Sequence, residues 1–81
     1  MNVILEVKKM REVPDEIIFL VEESQDGGYK ARALGYSIFT QGETFDEIKK
    51  NIKDAVHCHF EEKDKPLLIR LHFVKDEIIT V

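Results

Sequence analysis

The stretch Gly28-Tyr29-Lys30-Ala31-Arg32-Ala33-Leu34-Gly35-Tyr36-Ser37-Ile38-Phe39-Thr40-Gln41-Gly42-Glu43-Thr44-Phe45-Asp46-Glu47-Ile48, continuing to Phe60, decides the fold. It reads as a strand, a bend at Gly35, a short strand over Tyr36–Thr40, a tight turn and a capped helix. The turn is Thr40-Gln41-Gly42-Glu43-Thr44, in which Gly42 takes a positive φ without Cβ strain. Thr44 is the expected N-cap, its hydroxyl accepting from the N–H three residues on, with Glu47 at the reciprocal position of a capping box. Phe45, Ile48, Ile52, Ala55, Val56 and Phe60 recur at helical spacing and make one apolar stripe over 45–60. Asp46 and Glu47 suit the positive end of the helix dipole. Lys49, Lys50 and Lys53 fall on the outer side, Asp46 preceding Lys50 by four residues.

Working outward, Ile17 to Val21 is a run of five apolar residues. Apolar on both faces, it reads as a central strand covered on each side. Ser24-Gln25-Asp26-Gly27-Gly28 then joins it to Tyr29–Leu34 as a hairpin. Residues 17–40 thus form a three-strand meander, with the alanines 31 and 33 leaving space for a helix. Further upstream, Val3, Leu5 and Val7 alternate with polar neighbours, predicting an N-terminal strand over 1–8, and Lys9–Asp15, with Pro14, is a loop. Downstream, Glu61–Lys65 is a charged loop and Pro66 forbids more helix. Leu67–Val74 alternates, with Leu67, Ile69, Leu71 and Phe73 on one face and Leu68, Arg70, His72 and Val74 on the other. Glu77–Val81 has the β-branched character of a short closing strand, so that 67–81 holds the C-terminal strands. The expected fold is a two-layer α+β (α/β) sandwich: a mainly antiparallel sheet with one crossover helix on one face, in the order β-β-β-β-α-β.

The 81 residues make one domain, and a chain of this length buries only about 60–65% of its unfolded surface, which favours a homodimer, a higher oligomer or a partner complex. Apolar residues at 43% and charged residues at 35% place it among globular, not disordered, proteins. No apolar run approaches a membrane span and no signal peptide is evident, so no membrane role is expected. The single cysteine, Cys58, excludes an intrachain disulfide and fits the cytoplasm. Twelve basic against sixteen acidic residues give a net charge of −4, which argues against direct nucleic-acid binding and suits a basic protein partner.

The candidate chemistry is thin. His57-Cys58-His59 resembles a ligand cluster, but neighbours one and two apart on a helix do not share a face. His59 falls near the middle of the apolar stripe, as a core-lining residue, and His57 points to solvent. A zinc site needs three or four ligands converging on one point, so no metal is expected. Glu22 and Glu23, adjacent on a strand, point to opposite faces. With Asp46 and Glu47 at the helix start, no second acid is placed to hold catalytic metal ions. Ser24 and Ser37 lack a nucleophile elbow, and Gly27-Gly28 precedes no helix, so neither supports a hydrolase or a phosphate loop. No catalytic residue and no cofactor are expected. The amphipathic strip of Arg70 and His72, with Glu22 and Glu23 as acids for a basic partner, is the candidate interface.

Gly28-Tyr29-x-Ala31, followed by Thr40-Gln41-Gly42-Glu43-Thr44-Phe45-Asp46-Glu47-Ile48 and Asn51-Ile52-Lys53-Asp54-Ala55, resembles the HicB-like antitoxin family over residues 16–60. The resemblance implies a truncated, partial RNase H-like fold that lacks the nuclease site. It also implies that Gly28, Tyr29, Ala31, Thr40, Gln41, Gly42, Thr44 and Asn51 are a structural motif. The implied function is that of a toxin–antitoxin system: neutralising a HicA-like, mRNA-cleaving toxin by direct protein–protein masking. Several relatives carry a DNA-binding segment after the last strand; residues 1–81 are expected to hold no DNA-binding domain, which puts transcriptional self-regulation by this chain in doubt. Two other classes compete. One is a small homo-oligomeric structural or interaction protein without a toxin partner. The other is an enzyme accessory domain or divalent-metal protein.

Overall fold

The computed structural model describes residues 15–81. They form strand β1 (Glu16–Glu23), strand β2 (Tyr29–Ala33), strand β3 (Phe39–Gly42), helix α1 (Phe45–His59), a turn of 3-10 helix (Glu62–Asp64) and strand β4 (Leu68–Val74). The strands make one sheet in the order β3-β2-β1-β4. β1 pairs antiparallel with β2, β2 antiparallel with β3, and β4 joins the other side of β1 in parallel. β3 therefore runs parallel to β4 from the opposite edge, and α1 carries the chain across the full width of the sheet. The fold is a two-layer α+β sandwich with a mainly antiparallel sheet and one crossover helix.

The alternation of β1 decides which side the helix takes. Ile17, Phe19 and Val21 are buried, and so are Ala31 and Ala33 across the β1–β2 pairing. The two alanines lower the surface of β2, and the buried Ile48, Ile52 and Val56 of α1 settle over it. Each of these three side chains contributes about 1.5–3 kcal/mol by leaving water. Aromatic rings pin both helix ends. Phe45 meets Tyr29 at 6.2 Å and Phe73 at 5.3 Å, while Phe60 meets Tyr36 at 5.2 Å, all between ring centroids.

The helix start forms as the sequence predicts. Thr44 is extended, and its Oγ1 accepts from the Glu47 N–H at 3.1 Å. The Glu47 carboxylate reaches back one residue further than in a standard capping box and accepts from the Glu43 N–H. The 24–28 connection closes the β1–β2 hairpin, with Ser24 N–H donating to the Gly28 carbonyl at 2.9 Å. On the outer face of α1 the ion pairs are Lys49–Asp46 and Lys50–Asp54, both at 3.7 Å, in place of the expected Asp46–Lys50 pair.

Several expectations are corrected. The third strand is Phe39–Gly42 and not Tyr36–Thr40, because Gly35, at φ +86°, lengthens the bend and delays pairing with β2. Thr40-Gln41-Gly42 is thus strand, and the turn shrinks to Glu43-Thr44. Gly42 does not have a positive φ; glycines 27, 28 and 35 do. β1 is central, but among the described residues only one of its faces is covered: Ile18 and Leu20 are half-buried, facing away from α1. The helix ends at His59, with Phe60 as its C-cap, its N–H donating to the Val56 carbonyl. His59 is exposed, not core-lining: its azimuth follows the stripe, but it lies beyond the last buried helical residue, Val56, and meets only the rings of Tyr36 and Phe60. Residues 75–81 form no closing strand. Ile78 is 94% and Ile79 80% exposed, so the tail finds no sheet to bury its β-branched side chains against. The expected strand over 1–8 lies outside the described residues.

Candidate functional site

The motif that carries the family resemblance closes into one clasp between sheet and helix. An added Cβ on Gly42 would stand 2.8 Å from the Ile48 N and 3.0 Å from its Cα, so glycine is what lets β3 approach the first turns of α1. Gly28 needs its identity twice. Its φ is +81°, and a Cβ there would meet the Gly42 carbonyl oxygen at 2.8 Å. Asn51 Nδ2 donates to the Gln41 carbonyl at 2.8 Å, tying the second helical turn to β3. Tyr29 lies edge-on to Phe45, Ala31 is buried beneath the helix, Thr40 stands opposite it on β3, and Thr44 caps. These eight residues position α1.

Among the described residues nothing covers the opposite face of the sheet, and the strand register determines what it displays. Leu20 stands between Arg32 of β2 and His72 of β4, Ile18 beside Arg70, and Glu22 between Lys30 and Val74. Phe39 of β3 lies next to Arg32. Two half-buried aliphatics therefore form a centre, bordered by Phe39 and Leu68, which are 63% and 61% exposed. Charges of both signs surround them. Arg70 reaches diagonally along the β1–β4 pairing to Glu16, its Nη2 donating to Oε1 at 2.9 Å and its Nε to Oε2 at 3.1 Å. This hydrogen bond from Arg70 holds the Glu16 carboxyl below the usual carboxylate range and, in return, raises Arg70. Of the four expected interface residues, Glu22, Arg70 and His72 share this face. Glu23 does not: it pairs with Tyr29 on the helix side, as the strand alternation requires. Among the described residues, no group of three or more His, Cys, Asp or Glu side chains converges in a metal-ligand arrangement.

The sequence is 50% identical to a UPF0150 protein of Thermotoga maritima over 70 residues, which span 86% of this chain and 99% of that one. The chain belongs to the UPF0150 family. It is also 61% identical over 54 residues to a UPF0150 protein of Archaeoglobus fulgidus, covering 67% of this chain and 80% of that one. No family model and no solved structure matches it. The names of these UPF0150 relatives assign neither a partner nor a reaction.

This UPF0150 chain also has a concave surface on the helix side. α1 lies over β2 and β3 more than over β4, which leaves a groove of about 390 Å³ between the helix and the β4 edge. Its floor is apolar, from Ile52, Val56, Leu67 and Leu71, and Lys49, Lys53, His57 and Lys65 stand around it. Lys65 Nζ donates to Glu62 at 2.7 Å and keeps that carboxyl below its ordinary range. No helix among the described residues is long and apolar enough to cross a membrane. Sequence reasoning missed Lys30, Arg32, Ile18, Leu20 and Phe39 as members of the open face. The signal was present in the strand alternation: carrying the parity of Arg70 across β1 and through the hairpin selects those residues.

Proposed function

We propose that this chain is a HicB-like antitoxin, or a binding module derived from one, which neutralises a HicA-type mRNA-cleaving toxin by covering its RNA-binding and catalytic surface. The observation that carries this reading is the open sheet face. An apolar centre of Ile18 and Leu20 with Phe39 at its side, ringed by Lys30, Arg32, Arg70, Glu16 and Glu22, has the make-up of a protein-contact surface. The clasp adds support, since the residues that resemble the family's motif meet in space as one structural unit. The mechanism is steric and electrostatic: the mixed-charge open face covers the partner while the net charge of −4 draws in a basic protein, in the cytoplasm and without cofactor, metal, nucleic acid or chemistry of its own. The partial RNase H-like reading of the fold belongs to the same proposal.

The test is co-expression with the basic protein encoded beside it. Co-purification and relief of toxicity are the expected results, both lost when Leu20→Glu and Phe39→Glu are introduced on the open face; no complex and undiminished toxicity contradict the reading. The alternative, a homo-oligomeric interaction protein without a toxin, draws on a different observation: among the described residues, the outer edge of β4 has no strand beside it. Self-association with no effect on any toxin would favour it.

A further inference from the structure

We infer that β4 pairs antiparallel with β4 of a second copy, in a register centred on Leu71, and that each C-terminal tail docks in the helix–β4 groove of the other copy. The pairing concerns the sheet edge and not its open face, and holds whether or not that face masks a toxin. Three features that nothing else accounts for come together in it. The first is the edge itself. Leu68–Val74 has no lysine, proline or bulge of the kind that protects an exposed edge strand, its one formal charge, Arg70, is drawn to Glu16, and it carries Leu68 and Phe73, the latter 50% exposed, on its two faces. The second is the acidic and apolar tail Asp76-Glu77-Ile78-Ile79, whose isoleucines stand in water. The third is the lysine-rimmed apolar groove.

Symmetry fixes the register. Two identical edges pair isologously only about a twofold axis normal to the sheet, which keeps both helices on one side and sets like faces opposite each other. Centring on Leu71 makes Leu68 face Val74, Ile69 face Phe73, Arg70 face His72 and Leu71 face its own counterpart, so all seven strand residues are paired. Centring on Arg70 sets two guanidiniums against each other. Centring on His72 sets Leu68 against Asp76 and Ile69 against Lys75. The first register alone sets every apolar residue of the strand opposite another, with Arg70, already held by Glu16, facing His72.

This register, chosen from β4 alone, also predicts where the tail goes. Lys75, Asp76 and Ile78 lie beside Glu22–Gln25 at the hairpin end of the sheet, where β4 ends. Continued beyond Val74, the pairing brings Lys75 opposite Leu67 of the second copy, Asp76 opposite Pro66 and Glu77 opposite Lys65. Glu77 and Lys65 lie on the α1 side by alternation, where the groove opens. Glu77 therefore meets Lys65 at the rim of the groove, and Ile79, on the same side by alternation, turns in towards its apolar floor. The result joins the two four-stranded sheets of the described residues across the twofold, with both tails exchanged.

The experiment uses the full chain alone, with light scattering and oxidative cross-linking. A dimer is expected at micromolar concentration. Ile78→Asp with Ile79→Asp, both solvent-exposed in the single copy and harmless to its fold, raises the dimer dissociation constant by roughly tenfold or more, the loss expected when one isoleucine of each tail is no longer buried. In a Cys58→Ser background, Leu68→Cys with Val74→Cys cross-links to a dimer under diamide, and neither cysteine alone does so. A chain that stays monomeric at millimolar concentration overturns the proposal. So does a dimer that ignores the tail substitutions and fails to cross-link through positions 68 and 74.

Discussion

At the scale of single residues, the glycines separate two physical roles that composition alone cannot. Gly42 is required for space and Gly27 for conformation, since a Cβ at position 27, φ +93°, meets nothing within 4 Å. Gly28 is required for both. Gly42→Ala forces the helix away from β3 and is expected to lower stability by about 1–3 kcal/mol, the usual cost of overpacking. Gly27→Ala costs about 1 kcal/mol from its left-handed backbone alone, and Gly28→Ala costs more than either. Urea denaturation of the three variants ranks them. Thr44→Ala, which removes the helix cap, costs about 1 kcal/mol in the same measurement. Sequence alone made Gly42 a positive-φ turn residue, whereas it closes β3 and is needed for the approach of α1. A sequence shows that a glycine is present, not which backbone approaches it.

The Glu16–Arg70 pair makes a pH prediction at the same scale. Glu16 has a folded-state pKa below its ordinary value through its hydrogen bonds from Arg70. Its contribution to stability is therefore present above the unfolded carboxylate pKa and is lost as pH falls through the depressed value. Arg70→Leu should return the Glu16 titration towards the ordinary carboxylate range, read by NMR of the side-chain carboxyl. An unchanged titration would mean that the pair is not formed in solution. Both groups are exposed, so the effect on stability is small.

Among elements, α1 is the one the sheet cannot do without. Ile52 is 1% exposed and sits midway along the buried stripe, so Ile52→Ala should cost about 2–5 kcal/mol. Lys50→Ala, on the outer face, should change the urea midpoint little. The helix, its cap, the hairpin and the two longest strands were all legible, because periodicity and turn chemistry are local signals. What was not legible depended on something outside the segment. The third strand slid three residues because pairing with β2, not its own composition, sets where it begins. Glu77–Val81 has the composition of a strand but no neighbour to pair with. His59 kept the azimuth of the stripe where the core beneath it had ended.

At the scale of the molecule, the helix seals one side of the four-stranded sheet, and among the described residues the other side is uncovered and the outer edges of β3 and β4 have no strand beside them. The open face was only half anticipated. Arg70 and His72 were placed on it by alternation, whereas Lys30, Arg32 and Phe39 join it through a strand order that no single segment encodes. The function proposed here rests on that face as a surface for gripping a protein. The most direct measurement is the RNA-cleaving activity of a HicA-type toxin titrated with this chain and with its Leu20→Glu, Phe39→Glu variant. The account predicts stoichiometric loss of cleavage with the unmodified chain and none with the variant, which should remain folded because both positions lie outside the core. Cleavage that continues undiminished at an excess of the unmodified chain, or that the variant suppresses equally well, would contradict it.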